Sequence, residues 1–365
     1  MTEKCAFWNE YDSVAGHICY CELAAFNRPV NPNFLNAIGC TSDKRKECML
    51  KMEHAVGQGV VPQEMPELAP TPAVAAAPVL SCDPPSEIAK TVVGVAQKKA
   101  ATPAPSLVLL AILAGAYIAL GAVLFTIVTN DLSLYIGDGL SRLVGGIAFS
   151  LGLILVVLGG AELFTGNNLL AAGYLDKKVT GRQVLNNWFW VYLFNFAGAL
   201  LVALLFFYSG IWKANDGSIA LRIVNIAAAK TSLTFSEALF RGILCNWLVC
   251  MAVWLSMAGK DAISKILGIM IPIAAFVAAG FEHSIANMYF IPMGLLLKGS
   301  ELVQGIVAPA VLQGISWQAF FINNLIPVTI GNIIGGVVFV AVVYWTCYLR
   351  PATLGGGKIV ANGKL

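Results

Sequence analysis

His283 is the only histidine in the last 265 positions of the chain, and it stands beside Glu282 in the otherwise apolar run Phe276-Val277-Ala278-Ala279-Gly280-Phe281-Glu282-His283-Ser284-Ile285-Ala286-Asn287. From Ile266 to Leu297 the only formal charge is Glu282. An imidazole can give or accept a hydrogen bond or a proton near neutral pH. An ionisable pair inside a membrane is expensive, so it faces a solute pathway or the bundle interior rather than lipid. The chemistry these two residues suggest is passage of a small solute, with His283 donating to it.

A second constellation has the same spacing. Gly160-Ala161-Glu162-Leu163-Phe164-Thr165-Gly166-Asn167 and Gly280-Phe281-Glu282-His283-Ser284-Ile285-Ala286-Asn287 both read Gly-x-Glu-x-x-x-x-Asn. Glycine inside an apolar run interrupts a helix, and lipid cannot satisfy the freed backbone groups, so broken backbone must line a cavity or be buried in protein. Glu162 with Asn167, and Glu282 with Asn287, are expected to hold those freed groups.

The elements that must position these residues are membrane helices. Mean hydropathy is +0.76, with 58% hydrophobic and 12% charged residues, outside the range of soluble globular chains. Crossing the hydrocarbon layer takes roughly 20 apolar residues. Spans are expected at Ser106–Val128, Leu143–Ala161, Val184–Tyr208 and Ala238–Met257, then in Ile266–Leu297 broken near Gly280, and finally at about Leu325–Leu349. The uncharged stretch from Leu302 to the last span holds Gln304, Pro309, Gln313 and Gly314 and reads as a surface or re-entrant segment. Each motif falls in the second helix of a three-helix half. Three crossings are an odd number, so the halves have opposite topology, and matching breaks in inverted halves point to a site at the midplane. The fold class expected is an all-α membrane protein of six helices in two inverted repeats, with the second and fifth broken, in an aquaporin-like arrangement.

Ahead of the six-helix domain (101–350) lie a cysteine-rich, irregular arm (1–60), a Pro/Ala-rich linker (61–84) and an amphipathic helix (85–100) for which Ser86 is the candidate N-cap; a tail (351–365) follows. With the N-terminus inside, Lys98, Lys99, Lys177, Lys178, Arg182, Lys260, Lys265 and Arg350 lie on the inner side, against Arg142, Lys213, Arg222, Lys230, Arg241 and Lys298 outside. The bias places both ends in the cytoplasm and the protein in the cytoplasmic (inner) membrane. No concentrated basic face suggests nucleic acid as a partner, and no segment reads as a cleaved signal peptide.

The residues resemble the formate/nitrite transporter family from about Pro84 to Arg350. The resemblance rests on Glu162-Leu163-Phe164-Thr165-Gly166-Asn167, Phe281-Glu282-His283-Ser284-Ile285-Ala286-Asn287-Met288 and Asn332-Ile333-Ile334-Gly335-Gly336, with Ser86–Ala100 similar to the family's N-terminal helix. It implies a homopentamer in the lipid bilayer with one pore per subunit, passing small monovalent anions. Formate is the first choice, with nitrite and hydrosulfide as alternatives. By the same resemblance His283 is the central histidine and Glu282 its backbone-holding neighbour. Thr165 belongs to the loop that breaks the second helix, Asn246 is a pore-side polar residue of the fourth, and Lys230 a basic residue of the outer vestibule. Phe149, Leu153 and Phe276 are apolar constrictions, and Leu163 and Phe164 join the same pathway. The long N-terminal arm departs from the family pattern.

Two other functions compete with this reading. A neutral-solute channel of the aquaporin type uses paired Asn-Pro-Ala half-helices, whereas the only Asn-Pro here is Asn31-Pro32 in the arm. A membrane redox or sensor protein would use Cys5, Cys19, Cys21, Cys40, Cys48 and Cys82, with His17 and His54, for a metal ion or iron–sulfur cluster, although their spacing is not that of zinc ribbons or ferredoxin clusters. No cofactor is expected in the membrane domain. The arm is a candidate for occluding the inner pore mouth or docking a cytoplasmic protein. No catalytic triad, Walker loop or dinucleotide fingerprint occurs, and enzyme activity is not expected.

Overall fold

The computed structural model describes residues 8–13, 16–21 and 82–350. The linker up to residue 81, the tail 351–365 and the arm outside those two short segments lie outside the described residues, as do Cys5, Cys40, Cys48 and His54. The chain divides into two units, Met1–Val79 and Leu80–Leu365. In the first, strand β1 (Trp8–Ser13) pairs antiparallel with β2 (Gly16–Cys21), Trp8 opposite Cys21 and Asp12 opposite His17. The arm expected to be irregular thus contains a hairpin.

The second unit is helical. Its lead-in helix, Pro85–Ala100, has Pro84 rather than Ser86 at its N-cap position and makes no side-chain cap bond. Pro85 at the first helical position explains this, because its fixed φ starts a helix where an N–H would be unsatisfied anyway. Six helices are long and apolar enough to cross a membrane: Ala104–Val128, Ser133–Leu158, Gly181–Ser209, Phe235–Ala258, Ala262–Ala279 and Ala319–Tyr348. They match the six expected spans in order. The second starts ten residues early because Asp138 and Arg142 depress the apolar signal while the helix runs on through a kink at Gly137. The sixth starts six residues early, with π-turns around the polar pair Asn323-Asn324. Between Ser284–Leu297 and the sixth span, Glu301–Ile306 and Pro309–Gly314 are helices of six residues each, too short to cross.

Capping boxes open the third and fourth spans. Thr180 pairs reciprocally with Gln183, and Thr234 with Glu237, each arrangement satisfying two otherwise orphaned donors. Lipid offers apolar helices little reason to associate, so backbones approach where side chains are smallest. A Cβ on Gly115 or Gly198 would strike the facing backbone at the crossing of spans one and three; Gly331 and Gly335 do the same where spans four and six cross. The connection between spans three and four, expected as a loop, contains a helix, Ser218–Thr231, packed against the half-helix Ser284–Leu297. Its apolar residues Ile219, Ile223, Val224 and Ala227 are buried at helical spacing, while Leu221 and Asn225 are exposed.

Candidate functional site: two broken helices meeting at a histidine

Each break begins with a glycine held at positive φ, Gly160 at 71° and Gly280 at 76°, a conformation that only glycine adopts readily. Three residues without helical structure follow, then a new helix: Phe164–Asn167 after the first break, Ser284–Leu297 after the second. The freed backbone groups are satisfied twice over by the same set of bonds. Ala161 N–H reaches back to Val156 O at 2.9 Å and Phe281 N–H to Phe276 O at 3.1 Å; Glu162 N–H donates to Leu110 O and Glu282 N–H to Arg241 O.

Two asparagines complete the holding. Asn195 on the third span accepts from Phe164 N–H at 2.9 Å and donates to Ala111 O and Glu162 O. Asn332 on the sixth accepts from Ser284 N–H at 2.9 Å and donates to Gly242 O and Glu282 O. This corrects the sequence reading, which gave that role to the Glu and Asn side chains of the motif. Those side chains instead build a polar cluster beside each break. Glu162 accepts from Asn167 and pairs with Lys99 at 2.9 Å, while Asn167 also donates to Asn187. Glu282 accepts from Asn287 and pairs with Lys230 at 2.9 Å, while Asn287 also donates to Asn324. A buried carboxylate needs such a partner, because an unpaired ion in a low-dielectric interior is strongly unfavourable.

Sequence reasoning passed over Asn187, Asn195, Asn324 and the role of Lys99, and quoted Asn332 only as part of a motif. The signal was present: both asparagine pairs are eight residues apart, on the third helix of each half.

The breaks converge on one contact. His283 is the N-cap of Ser284–Leu297, and its Nδ1 accepts from Ala286 N–H at 3.1 Å. Nδ1 therefore bears no proton, so the ring proton sits on Nε2, which lies 2.9 Å from Thr165 Oγ1 and donates to it. The backbone of the second break thus fixes the imidazole as its neutral Nε2–H form, in the way that one nitrogen's partner sets the state of the other. Thr165 and His283 are both buried, and the Phe276 ring stacks on the imidazole at 6.0 Å.

Two cavities flank this contact. A larger one, about 270 Å³, is lined by Lys99, Leu153, Glu162, Leu163, Asn167 and Lys265 among others. A smaller one, about 140 Å³, is lined by Phe149, Lys230, Phe276, Glu282, His283 and Phe290 among others. Phe149 and Leu153 are one helical turn apart on the second span, about 6 Å along its axis, so the cavities approach each other across a single apolar turn. Phe149 meets Phe276 edge-on at 5.8 Å in that turn.

Lys230, Phe149, Phe276 and His283 thus gather on one cavity, and Leu153 and Leu163 on the other. Thr165 lies between them. Two of the expected pathway residues are elsewhere. Phe164 packs against Tyr192 at 4.8 Å and Trp188 at 6.1 Å on the third span. Asn246 is wholly buried and donates to Thr165 O, Asn168 Oδ1 and Asn332 O, which ties the Thr165 turn to the sixth span. Both line neither cavity, because each is consumed by packing or bonding inside the bundle.

Six crossings, two helix breaks facing each other and a buried donor pair between two charged-rim cavities define a multi-pass membrane transport protein. The sequence model of the formate/nitrite transporter family matches residues 86–346, and the chain belongs to that family, whose members are transporters rather than enzymes. It is 43% identical over 281 residues to a probable formate transporter of Methanothermobacter thermautotrophicus, covering 73% of this chain and 97% of that one. To the formate channel FocA of Escherichia coli (strain K12) it is 42% identical over 245 residues, 66% of this chain and 86% of that one. Among solved structures, a pentameric formate channel with formate bound superposes with a TM-score of 0.61 at 36% identity, covering 67% of this chain and 97% of the other. An FNT family ion channel superposes at 0.60 with 30% identity, covering 72% and 99%.

Proposed function

We propose that this chain forms a channel for small monovalent anions, with formate as its first substrate, assembled as a homopentamer with one pathway per protomer. The observation that carries the reading is the Thr165–His283 contact held between two cavities, each with a lysine–glutamate pair at its edge. The names of the similar formate channels, and the pentameric state stated for one of them, support the substrate and the assembly. The repeated bonding of the two breaks supports inverted halves, and the charge bias of the connections supports a cytoplasmic N-terminus in the inner membrane.

A bare anion entering the apolar turn between Phe149 and Leu153 would lose hydration at a cost far beyond what a few contacts return. Thr165 offers a hydroxyl proton at that point, and His283 its Nε2–H when a substrate displaces the Thr165 oxygen from it. Forming imidazolium would place an Nδ1–H against Ala286 N–H and break the bond that caps the half-helix, so His283 serves as a neutral donor, and a weak acid crosses the turn in its protonated form. The proton then travels with the substrate, and uptake of formate rises as external pH falls.

The test is a stopped-flow panel on purified protein in liposomes, with formate, nitrite, hydrosulfide and glycerol. Formate flux well above protein-free liposomes, alkalinising the outside as it enters, is expected. Absence of formate flux in assembled protein, or equal passage of glycerol, would overturn the reading.

A further inference from the structure

The charge at the edge of the smaller cavity is not where its lysine is. Lys230 is bound to Glu282, so the pair carries no net charge to draw an anion in. Helix Ser218–Thr231 runs along this cavity, and Ile226 and Lys230 line it. One further turn back on the same face stands Arg222, about 12 Å from Lys230 along the axis. Its guanidinium lies 5.7 Å over the ring of Phe125, and Phe125 lines the same cavity.

Arg222 is half-buried and, among the described residues, has no carboxylate within salt-bridge distance. Its one hydrogen bond runs from Nε to Thr129 Oγ1 at 3.2 Å, where the hydroxyl's own proton goes to Phe125 O. The two terminal amino groups therefore remain free, in the planar fork that matches a carboxylate. Arg142 and Asp138 are both close enough to be felt. Burial and Arg142 pull the guanidinium down from its ordinary value, and Asp138 opposes them more weakly.

We propose that Arg222 is the capture site of the smaller cavity: an uncompensated guanidinium that binds the incoming carboxylate side-on and passes it along the Arg222–Ile226–Lys230 face toward His283. This rests on the anion-channel reading above and assigns a residue that the sequence analysis treated only as loop charge. A single charge about 12 Å away, at an effective dielectric constant of about 40 between protein surface and water, changes local anion concentration by about threefold at low ionic strength, and salt screens it.

The experiment is radiolabelled formate uptake into proteoliposomes over a concentration series, at low and at about 0.5 M impermeant salt, with oligomer size checked in detergent. Arg222→Gln is expected to raise the half-saturating formate concentration about threefold with maximal flux unchanged, and the difference to vanish in high salt. Arg222→Lys should recover most of the loss. Arg222→Met, which keeps the stem over Phe125, reads the same quantity should the glutamine variant not assemble. Lys213→Gln removes an exposed charge elsewhere in the same connection and should change nothing. Kinetics of the neutral variants matching wild type, a lysine variant as impaired as glutamine, or an equal shift from Lys213→Gln would overturn the proposal while leaving the channel reading intact. Wild-type protein that passes no formate would instead remove the channel reading beneath it.

Discussion

Replacing Asn332 with alanine tests whether the breaks are held by the helices that cross them. Asn332 is fully buried and makes three bonds, all to backbone: from Ser284 N–H, and to Gly242 O and Glu282 O. Its removal leaves Ser284 N–H and Glu282 O without that partner in a dry interior, each worth about 1–3 kcal/mol, while Gly242 O keeps its place in the helix Phe235–Ala258 and loses only a second bond. These losses do not add fully, because the chain relaxes and water can enter, so a loss of about 3–5 kcal/mol is expected. For a bundle of this size that is a fall in melting temperature on the order of 10 °C, measurable by thermal unfolding of the detergent-solubilised protein. Asn195→Ala removes the matching three bonds in the other half and should cost the same within about 1 kcal/mol. Asn246→Ala also breaks three bonds, but only two of its acceptors are backbone, so a smaller loss is expected. Both Asn332→Ala and Asn195→Ala melting within 2 °C of wild type, by this same scale, would refute the argument. A large loss from one and none from the other would refute the matched roles of the two halves.

Thr165→Val keeps the shape but deletes the hydroxyl that accepts from His283 Nε2; formate flux should fall about tenfold or more, with assembly unchanged, as read by stopped flow. His283→Asn keeps a side chain able to accept from Ala286 N–H but moves the donor away from Thr165, so flux should fall while melting temperature drops by only a few degrees, roughly the loss of one capping bond. Because the geometry holds His283 neutral, the rise of wild-type flux with falling pH should follow the concentration of protonated formate without a break near pH 6.5, the usual histidine range. A sharp inflection there would show that the imidazole titrates during transport.

The six crossings were legible because apolar runs of this length admit few other structures, and the two breaks because glycine and a lone carboxylate interrupt them. What was not legible was the partner of each broken strand of backbone. Asn195 and Asn332 sit on spans distant in sequence, and nothing local distinguishes an asparagine that ties backbone from one that faces a pore; the bonds of Asn246 to Thr165 O and Asn332 O were hidden for the same reason. Phe164 was placed in the pathway through its position in the motif, whereas the turn that puts Thr165 on His283 rotates the preceding ring onto Trp188 and Tyr192. The helix Ser218–Thr231 was hidden by its charges, Arg222 and Lys230, which read as loop. The lysine partners of Glu162 and Glu282 come from outside the spans, so their pairing appears only in three dimensions.

The pairing of Lys230 with Glu282 makes two opposed predictions. Both groups are largely buried, with side chains 15% and 5% exposed, so removing either leaves its partner uncompensated. Lys230→Met exposes the anion path to a bare Glu282 carboxylate next to His283. For like charges roughly 6 Å apart at an effective dielectric constant of about 20 the repulsion is about 3 kcal/mol, or on the order of a hundredfold in occupancy. Adding Glu282→Gln removes that charge while keeping an acceptor for Asn287 and Asn324, so the double variant should conduct far better than Lys230→Met alone and melt at a higher temperature. If Lys230 served chiefly to attract the substrate, the double variant would conduct no better than the single one, since the lysine is absent from both. Flux ratios of the single and double variants near one would therefore show that Lys230 acts as a free cation, and a ratio of tenfold or more that it serves to neutralise the glutamate that holds the break.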